Sequence, residues 1–297
     1  MTYSIVARCP RTGEIGVGVQ SHFFAVGAIV SWAEPGIGAV ATQAMAEVSH
    51  GPGVLDRLRA GDAADAALAG ALAADPHAAA RQVGVVDASG RTASHTGSSC
   101  IADAGHVVGD GCAAQANMMA APGVPQAMAD AFASTDGPLW TRIADALDAA
   151  EAAGGDIRGR QSAAILVASG DPAERPGHGI LVDVRVDDHE DPLREVRRLA
   201  ELSVAYARID EAEQLLAQDR PEQAVAIYDE LLAAHPTNTE FAFWAAVALA
   251  GAGRPQQARL LAGPVLGSGD GDRWRALLVR LPPAGLTSQD VVDELLR

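Results

Sequence analysis

The pentapeptide Arg220-Pro221-Glu222-Gln223-Ala224 returns as Arg254-Pro255-Gln256-Gln257-Ala258, 254 − 220 = 34 residues later. A period of 34 is the length of a tetratricopeptide unit, a helix–turn–helix that stacks on its neighbours to bury its apolar face. Ala224, Tyr228 and Leu231 fall on the small, aromatic and apolar sites of a second repeat helix, and Pro236 closes it. In the second copy Ala258 is kept, Ala262 replaces the aromatic and Asp270 replaces the proline. The weaker alternative is an ordinary Ala/Leu bundle in which the two pentapeptides match by chance. Residues 189–297 are therefore expected to form an all-α, tetratricopeptide-like domain. Repeat helices more often bind a protein partner than catalyse, so chemistry is sought upstream.

A chain of 297 residues has room for two domains, each able to bury a core. The formal charge of −16 argues against nucleic acid or an anionic membrane surface as the main partner. Cys9, Cys100 and Cys112 form no CxxC pair, so a zinc knuckle is not expected, and three thiols without a framework fit a reducing cytoplasm. The first residues carry no basic leader, and no apolar run is long enough to span a bilayer. The expectation is a cytoplasmic protein, and a homo-oligomer is compatible with it.

The front of the chain reads as strands, helices, strands, helices, strands. Residues 2–8 and 15–20 form an opening hairpin around Cys9-Pro10-Arg11-Thr12-Gly13-Glu14. A second strand pair is expected at 28–32 and 37–43. Ala/Leu-rich helices follow at 53–59 and 63–74, then strands at 82–87, 91–95, 106–108 and 112–118. Helices at 124–132 and 139–153 precede strands at 162–168 and 179–186. That order is the grammar of layered α+β, with helix pairs on antiparallel sheets, rather than of βαβ units. The polar stretch Asp187-Asp188-His189-Glu190-Asp191 has no hydrophobic pattern and marks the expected boundary, giving domains 1–188 and 189–297.

The chain lacks HExxH, GxSxG, a P-loop, and a GxGxxG opening a βαβ helix, so no cofactor is expected. Metal-assisted hydrolysis through His22, His50, His95 or His106 has no short ligand motif to support it, and no metal is assigned. What remains is a hydroxyl at position 2. Loss of Met1 is chemically easy before a small residue, and it would leave Thr2 with a free α-amine beside its own Oγ. An α-amine titrates near neutral pH and can act as general base for that hydroxyl. Many chains begin Met-Thr without using it so.

Polar clusters at strand ends add weight. Ser21-His22 ends the second strand. Ser94-His95-Thr96-Gly97-Ser98-Ser99 ends another, and Arg158-Gly159-Arg160-Gln161-Ser162-Ala163-Ala164 leads into a third. Each has a plainer reading, as a turn, a surface histidine or solvated arginines. Together they suggest one polar site. Thr2 is the candidate nucleophile, with Ser21, His22, His95, Arg158, Gln161 and Ser162 as candidate substrate-binding residues. Arg158 or His95 would hold a substrate carboxylate, and Ser21 and Ser162 would orient the nucleophile.

Residues 2 to about 186 resemble the bacterial family of unknown function DUF1028. The resemblance rests on Thr2-Tyr3-Ser4-Ile5-Val6-Ala7-Arg8, Gly16-Val17-Gly18-Val19-Gln20-Ser21-His22, Gly38-Ala39-Val40-Ala41-Thr42-Gln43-Ala44, His95-Thr96-Gly97 and the run from Arg158 to Ala164. It implies a four-layer αββα sandwich similar to N-terminal-nucleophile (Ntn) hydrolases, and by analogy hydrolysis of a small amide or lactam. The chain departs from the family pattern at Glu47 and His50, where a polar amide and an aromatic are expected, and at Ala116, where glycine is expected in a turn. The rival expectation is a catalytically inactive Ntn-like scaffold that binds a ligand or a protein partner through its helical tail.

Overall fold

The structure, a computed structural model, describes residues 2–172 and 177–297. Met1, whose removal the candidate nucleophile needs, lies outside the described residues. The front of the chain runs β1 (Thr2–Arg8), β2 (Ile15–Ser21), α1 (Gly27–Val30), β3 (Ser31–Glu34), β4 (Gly38–Ala44), α2 (His50–Arg59) and α3 (Ala64–Ala73). It continues with β5 (Arg81–Asp87), β6 (Thr92–Thr96), β7 (Gly105–Gly109), β8 (Cys112–Asn117), α4 (Val124–Ser134), α5 (Leu139–Ala152), β9 (Ser162–Ala168) and β10 (Ile180–Val186). Two antiparallel sheets result, one in the order β10-β9-β2-β1-β8-β7 and one in the order β3-β4-β5-β6. The expected α+β class holds. One element differs: residues 28–30, expected as strand, close a helical turn, with Ile29 and Val30 donating backbone hydrogen bonds to Val26, and the strand begins only at Ser31.

Strand phase decides which face each residue serves, because side chains alternate across the sheet. Ser4, Val6, Val17 and Val19 of the six-stranded sheet point toward Ala39, Ala41 and Val86 of the four-stranded one, and together they fill the core between the sheets. The opposite face of β1 and β2 carries α5. There Gly16 and Gly18 present bare backbone to Ile143 and Leu147, and a Cβ at Gly18 would overlap Ile143. These glycines thus permit a close helix–sheet approach. On the other sheet, Val40, Val83 and Val85 face outward and pack with Val54, Leu58, Ala67 and Leu68 of α2 and α3. The packing sequence is α4/α5, sheet, sheet, α2/α3. Pro52 falls in the first turn of α2, where its missing N–H costs nothing, so the helix starts at His50 rather than at Gly53.

From residue 192 the chain is helical: α6 (Pro192–Ala217), α7 (Pro221–Ala234), α8 (Thr239–Gly251), α9 (Pro255–Leu266), α10 (Gly271–Leu278) and α11 (Gln289–Leu295). Contacts divide the chain between Ser203 and Val204, inside α6. Arg197, ahead of that point, ion-pairs with Asp145 and Asp148 of α5. Among the described residues no helix is long and apolar enough to cross a membrane.

The two copies of the pentapeptide open α7 and α9, each with proline in the first turn. Asn238 caps α8 by accepting from the backbone N–H groups of Glu240 and Phe241. Ala224 and Ala258 are both fully buried, and Ala258 packs in one core with Val225, Phe243, Ala246 and Ala262. Helices that approach this closely leave no room for a larger side chain. Replacing Ala224 or Ala258 with Leu should each cost about 1–3 kcal/mol by overpacking. Denaturant unfolding checks this, and full tolerance at both positions would mean that the repeat register is wrong.

Candidate functional site

Four polar side chains stand in a row across one end of the six-stranded sheet, on the face that looks into the sandwich. The register aligns Asn117 with Thr2 and Ser21 with Ser162. Thr2 Oγ1 donates to Ser21 Oγ at 3.2 Å, which joins the two pairs. Thr2 is only 5 % exposed. Ser162 Oγ donates to the Phe23 carbonyl at 2.5 Å and accepts from the Val26 N–H at 3.1 Å, so it ties down the chain leaving β2.

Opposite this row the four-stranded sheet presents Gln43, Gln82 and Thr96, and the two sheets are stitched together by amides. Gln82 Oε1 accepts from Gln43 Nε2 at 2.7 Å and from Asn117 Nδ2 at 2.8 Å. Gln82 Nε2 donates to Thr96 Oγ1 at 2.9 Å and to the Ala116 carbonyl at 2.9 Å. The Thr2 carbonyl oxygen receives Gln43 Nε2 at 3.2 Å and Asn117 Nδ2 at 3.4 Å. One step deeper, Ser4 Oγ donates to Gln43 Oε1 at 2.7 Å and accepts from Gln115 Nε2 at 2.6 Å. Gly84 lies where a Cβ would occupy the space of the Gln115 amide. Ala116 sits in strand β8 rather than in a turn, and its carbonyl serves the Gln82 side chain.

The other candidates are distributed as strand phase dictates. His22 and Arg158 meet at Asp156, which accepts the His22 N–H at 3.0 Å and pairs with Arg158 at 3.2 Å. Gln161 donates to Asp188 at 3.2 Å, and with His22, Arg160 and His189 it lines a cavity of about 490 Å³. His95 is set apart. It pairs with Val83 on the outer phase of β6, and its Nε2 lies 2.9 Å from the Ala78 carbonyl, whereas its neighbours Ser94 and Thr96 turn inward to Gln115 and Gln82. The structure therefore brings Thr2, Ser21 and Ser162 together, collects His22, Arg158 and Gln161 beside them, and separates His95.

Ser4, Gln43, Gln82, Gln115 and Asn117 join the site without belonging to any catalytic motif. Their signal is present as phase: each falls on the inward set of its strand, with Gln115 and Asn117 sharing β8 and the others lying among small or apolar residues. No motif flags it.

A second buried polar cluster stands behind the four-stranded sheet. His50 Nε2 lies 2.9 Å from Asp75 Oδ2, and Arg81 Nε donates to the same oxygen at 2.7 Å. The Arg81 hydrogen bond, with the His77 N–H and His50, holds the Asp75 carboxyl well below the usual carboxylate range. Burial pushes the Cys112 thiol up to about 11, which leaves it protonated and poorly nucleophilic at neutral pH. Among the described residues no group of three His, Cys, Asp or Glu side chains converges as a metal site would.

The fold is a helix-flanked double-sheet domain followed by a helical-repeat domain. The front matches the model of the family of unknown function DUF1028 over residues 2–196, and the chain belongs to that family. Residues 215–281 match a tetratricopeptide repeat model. Among solved structures, a similar one is the crystal structure of protein SPO2555 from Silicibacter pomeroyi, a DUF1028 member. It is 32 % identical, with 68 % of this chain and 88 % of that chain covered and a TM-score of 0.61. No functionally curated protein matches the chain.

Two outcomes follow from this geometry. Gln82→Leu leaves the amide donors of Gln43 and Asn117 short of a buried acceptor and should cost about 2–5 kcal/mol. A loss below about 1 kcal/mol in denaturant unfolding would mean that the network is not structural. Asp75 is depressed in the folded state, so its contribution is complete above the unfolded carboxylate pKa of about 3.9 and is lost as pH falls through the folded value. Asp75→Asn should therefore lower stability at neutral pH and flatten the acid limb of a Tm-against-pH curve. An unchanged acid limb would contradict the ion-pair assignment.

Proposed function

We propose that the front domain is an N-terminal-nucleophile amidohydrolase acting on a small amide, with Thr2 as its nucleophile. The observation that carries this reading is the Thr2 hydroxyl at the start of a central strand, inside the sandwich and hydrogen-bonded to Ser21. The order of helices, sheet, sheet and helices supports a likeness to Ntn hydrolases, and fold likeness alone does not fix a reaction.

The chemistry requires Thr2 to become the first residue of the mature chain. Its α-amine then takes the Oγ1 proton as Oγ1 bonds to the substrate carbonyl carbon, giving a tetrahedral adduct. The adduct collapses with cleavage of the C–N bond, and the leaving amine takes that proton. Water, deprotonated by the same α-amine, opens the Thr2 ester, which releases the acid and restores the hydroxyl. Ser21 Oγ, 3.2 Å from Thr2 Oγ1, holds that oxygen in place while its proton passes to the α-amine. Gln43 and Asn117 clamp the Thr2 carbonyl, so the residue cannot turn about its own backbone. Arg158 is already engaged with Asp156, which favours a role in shaping the strand entry over capture of a substrate carboxylate.

A second reading, an inactive scaffold that binds through its tail, draws on the repeat domain. There Tyr228, Trp244, Val247 and Leu286 line a cavity of about 650 Å³, roomy enough for an apolar side chain of a partner. Both readings are separated by a β-lactone probe, which acylates an activated Oγ with ring opening. Mass mapping should find the adduct on the residue-2 peptide of the wild type and of Thr2→Ser, and none in Thr2→Ala, with Tm nearly unchanged in all three. Equal labelling of Thr2→Ala would remove Thr2 as nucleophile.

A further inference from the structure

The large exposed apolar side chains of the front domain are not scattered. Phe23 and Phe24 follow the end of β2, Met45 and Val48 follow the end of β4, Ile101 lies between β6 and β7, and Ile157 precedes β9. Register places all of these connections at one end of the sandwich, the end that holds Thr2. Ser21 closes β2 opposite Ser162, Gln43 and Gln82 pair near the end of β4, and Gly105 opens β7 beside Ala116. Phe24 is 63 % exposed, Met45 68 % and Ile157 62 %. The others described in this domain, Val108, Ile180 and Leu181, lie on the edge strands β7 and β10. Among the described residues, the turns at the far end of the sheets carry none.

The loops that carry Met45, Ile101 and Ile157 are linked by hydrogen bonds. The Met118 N–H donates to the Ile101 carbonyl at 2.9 Å, and the Ile157 N–H donates to the Met118 carbonyl at 3.3 Å. Arg81 Nη1 donates to the Met45 carbonyl at 2.6 Å, and Cys100 Sγ donates to the Arg81 carbonyl at 3.4 Å. Three non-glycine residues of these same loops are held in the left-handed region: Ala25 at φ 54°, Ala44 at φ 69° and Met118 at φ 61°. Ala44 directly follows Gln43, and Met118 directly follows Asn117. Such backbone costs free energy and persists where surrounding structure enforces it.

Most of the charged groups of these loops are paired with one another; Asp103 stays exposed and the Glu47 side chain is 42 % exposed. Arg158 pairs with Asp156, Arg160 with Glu151 and Asp191, and Arg81 with Asp75. The rim thus offers an entering molecule apolar surface in which the arginines are already engaged with carboxylates. An apolar patch of this kind, rimmed by polar residues, marks a recognition surface. Here the apolar residues lie on connections at the same sheet end as the Thr2 hydroxyl.

From this juxtaposition we infer that the substrate is an amide whose acyl group is an apolar aliphatic or arylalkyl chain, held by Phe23, Phe24, Met45, Val48, Ile101 and Ile157. The inference rests on the Thr2 reading for the bond that is cut, and on the rim alone for the group that is bound.

The test separates the two. Acetyl-, butyryl-, hexanoyl- and octanoyl-p-nitroanilides are offered to the wild-type chain for turnover and to Thr2→Ala for calorimetric binding. Binding to Thr2→Ala should tighten about twofold to fourfold per added methylene, and wild-type kcat/KM should rise in step. Phe24→Ser with Met45→Ser should flatten both slopes, while Leu260→Ser, an exposed tail residue, should leave them as in the wild type. Tightening with length in Thr2→Ala, without turnover by wild type, supports the rim and removes Thr2 as nucleophile. Equal binding of all four amides, or a slope that survives the rim substitutions, overturns the inference even if Thr2 is labelled by the lactone.

Discussion

Gln82 is a single buried amide on which the two sheets close. Its oxygen accepts from Gln43 within its own sheet and from Asn117 across the interior, and its nitrogen serves Thr96 and the Ala116 carbonyl. A buried amide left without partners costs far more than a formed hydrogen bond gains, so the arrangement is specific as well as cohesive. The sheets can close only where each of these groups finds its partner. Gly84 supports the same closure by leaving room for Gln115. At this end the interior is polar; farther along the same strands it is Val and Ala. The polar end is also where Thr2 lies.

That polarity makes the start of β1 a fixed point. The Thr2 carbonyl is held by two amides and its hydroxyl by Ser21. For the proposed nucleophile, alignment before substrate arrives is what a strand start clamped on both sides supplies, without a loop that must order on binding. The apolar loops leave the sheets at that end, and two of their three left-handed residues, Ala44 and Met118, directly follow the network members Gln43 and Asn117. A rigid interior thus dictates how the loops leave the strands, and the loops present the surface that an incoming molecule meets. The helical tail matches tetratricopeptide helices over 215–281.

Much of this was legible from the chain alone, for identifiable reasons. The hairpin of β1 and β2 shows because alternation and a Pro/Gly turn are both local signals. The pentapeptide repeat shows because repetition needs no tertiary information. Residues 28–30 were misread because Ala-Ile-Val suits a strand equally well, and the helical turn depends on the tie of Ser162 to Phe23 and Val26, across 139 and 136 residues of sequence. His95 appeared beside its hydroxyl neighbours in sequence, but a period of two sends it to the other face of β6. The glutamines were hidden for the converse reason. Gln43, Gln82 and Gln115 lie far apart in the chain, each sits near the polar end of a strand with no motif around it, and only pairing across the interior gives them a role.

Catalysis by Thr2 depends on one chemical fact about the mature protein, the identity of its first residue. N-terminal sequencing and intact mass of the chain isolated from its native source measure this directly. A free Thr2 α-amine at the terminus is the result expected if Thr2 supplies both nucleophile and base. Any residue retained ahead of Thr2, or an acylated Thr2 amine, would contradict it.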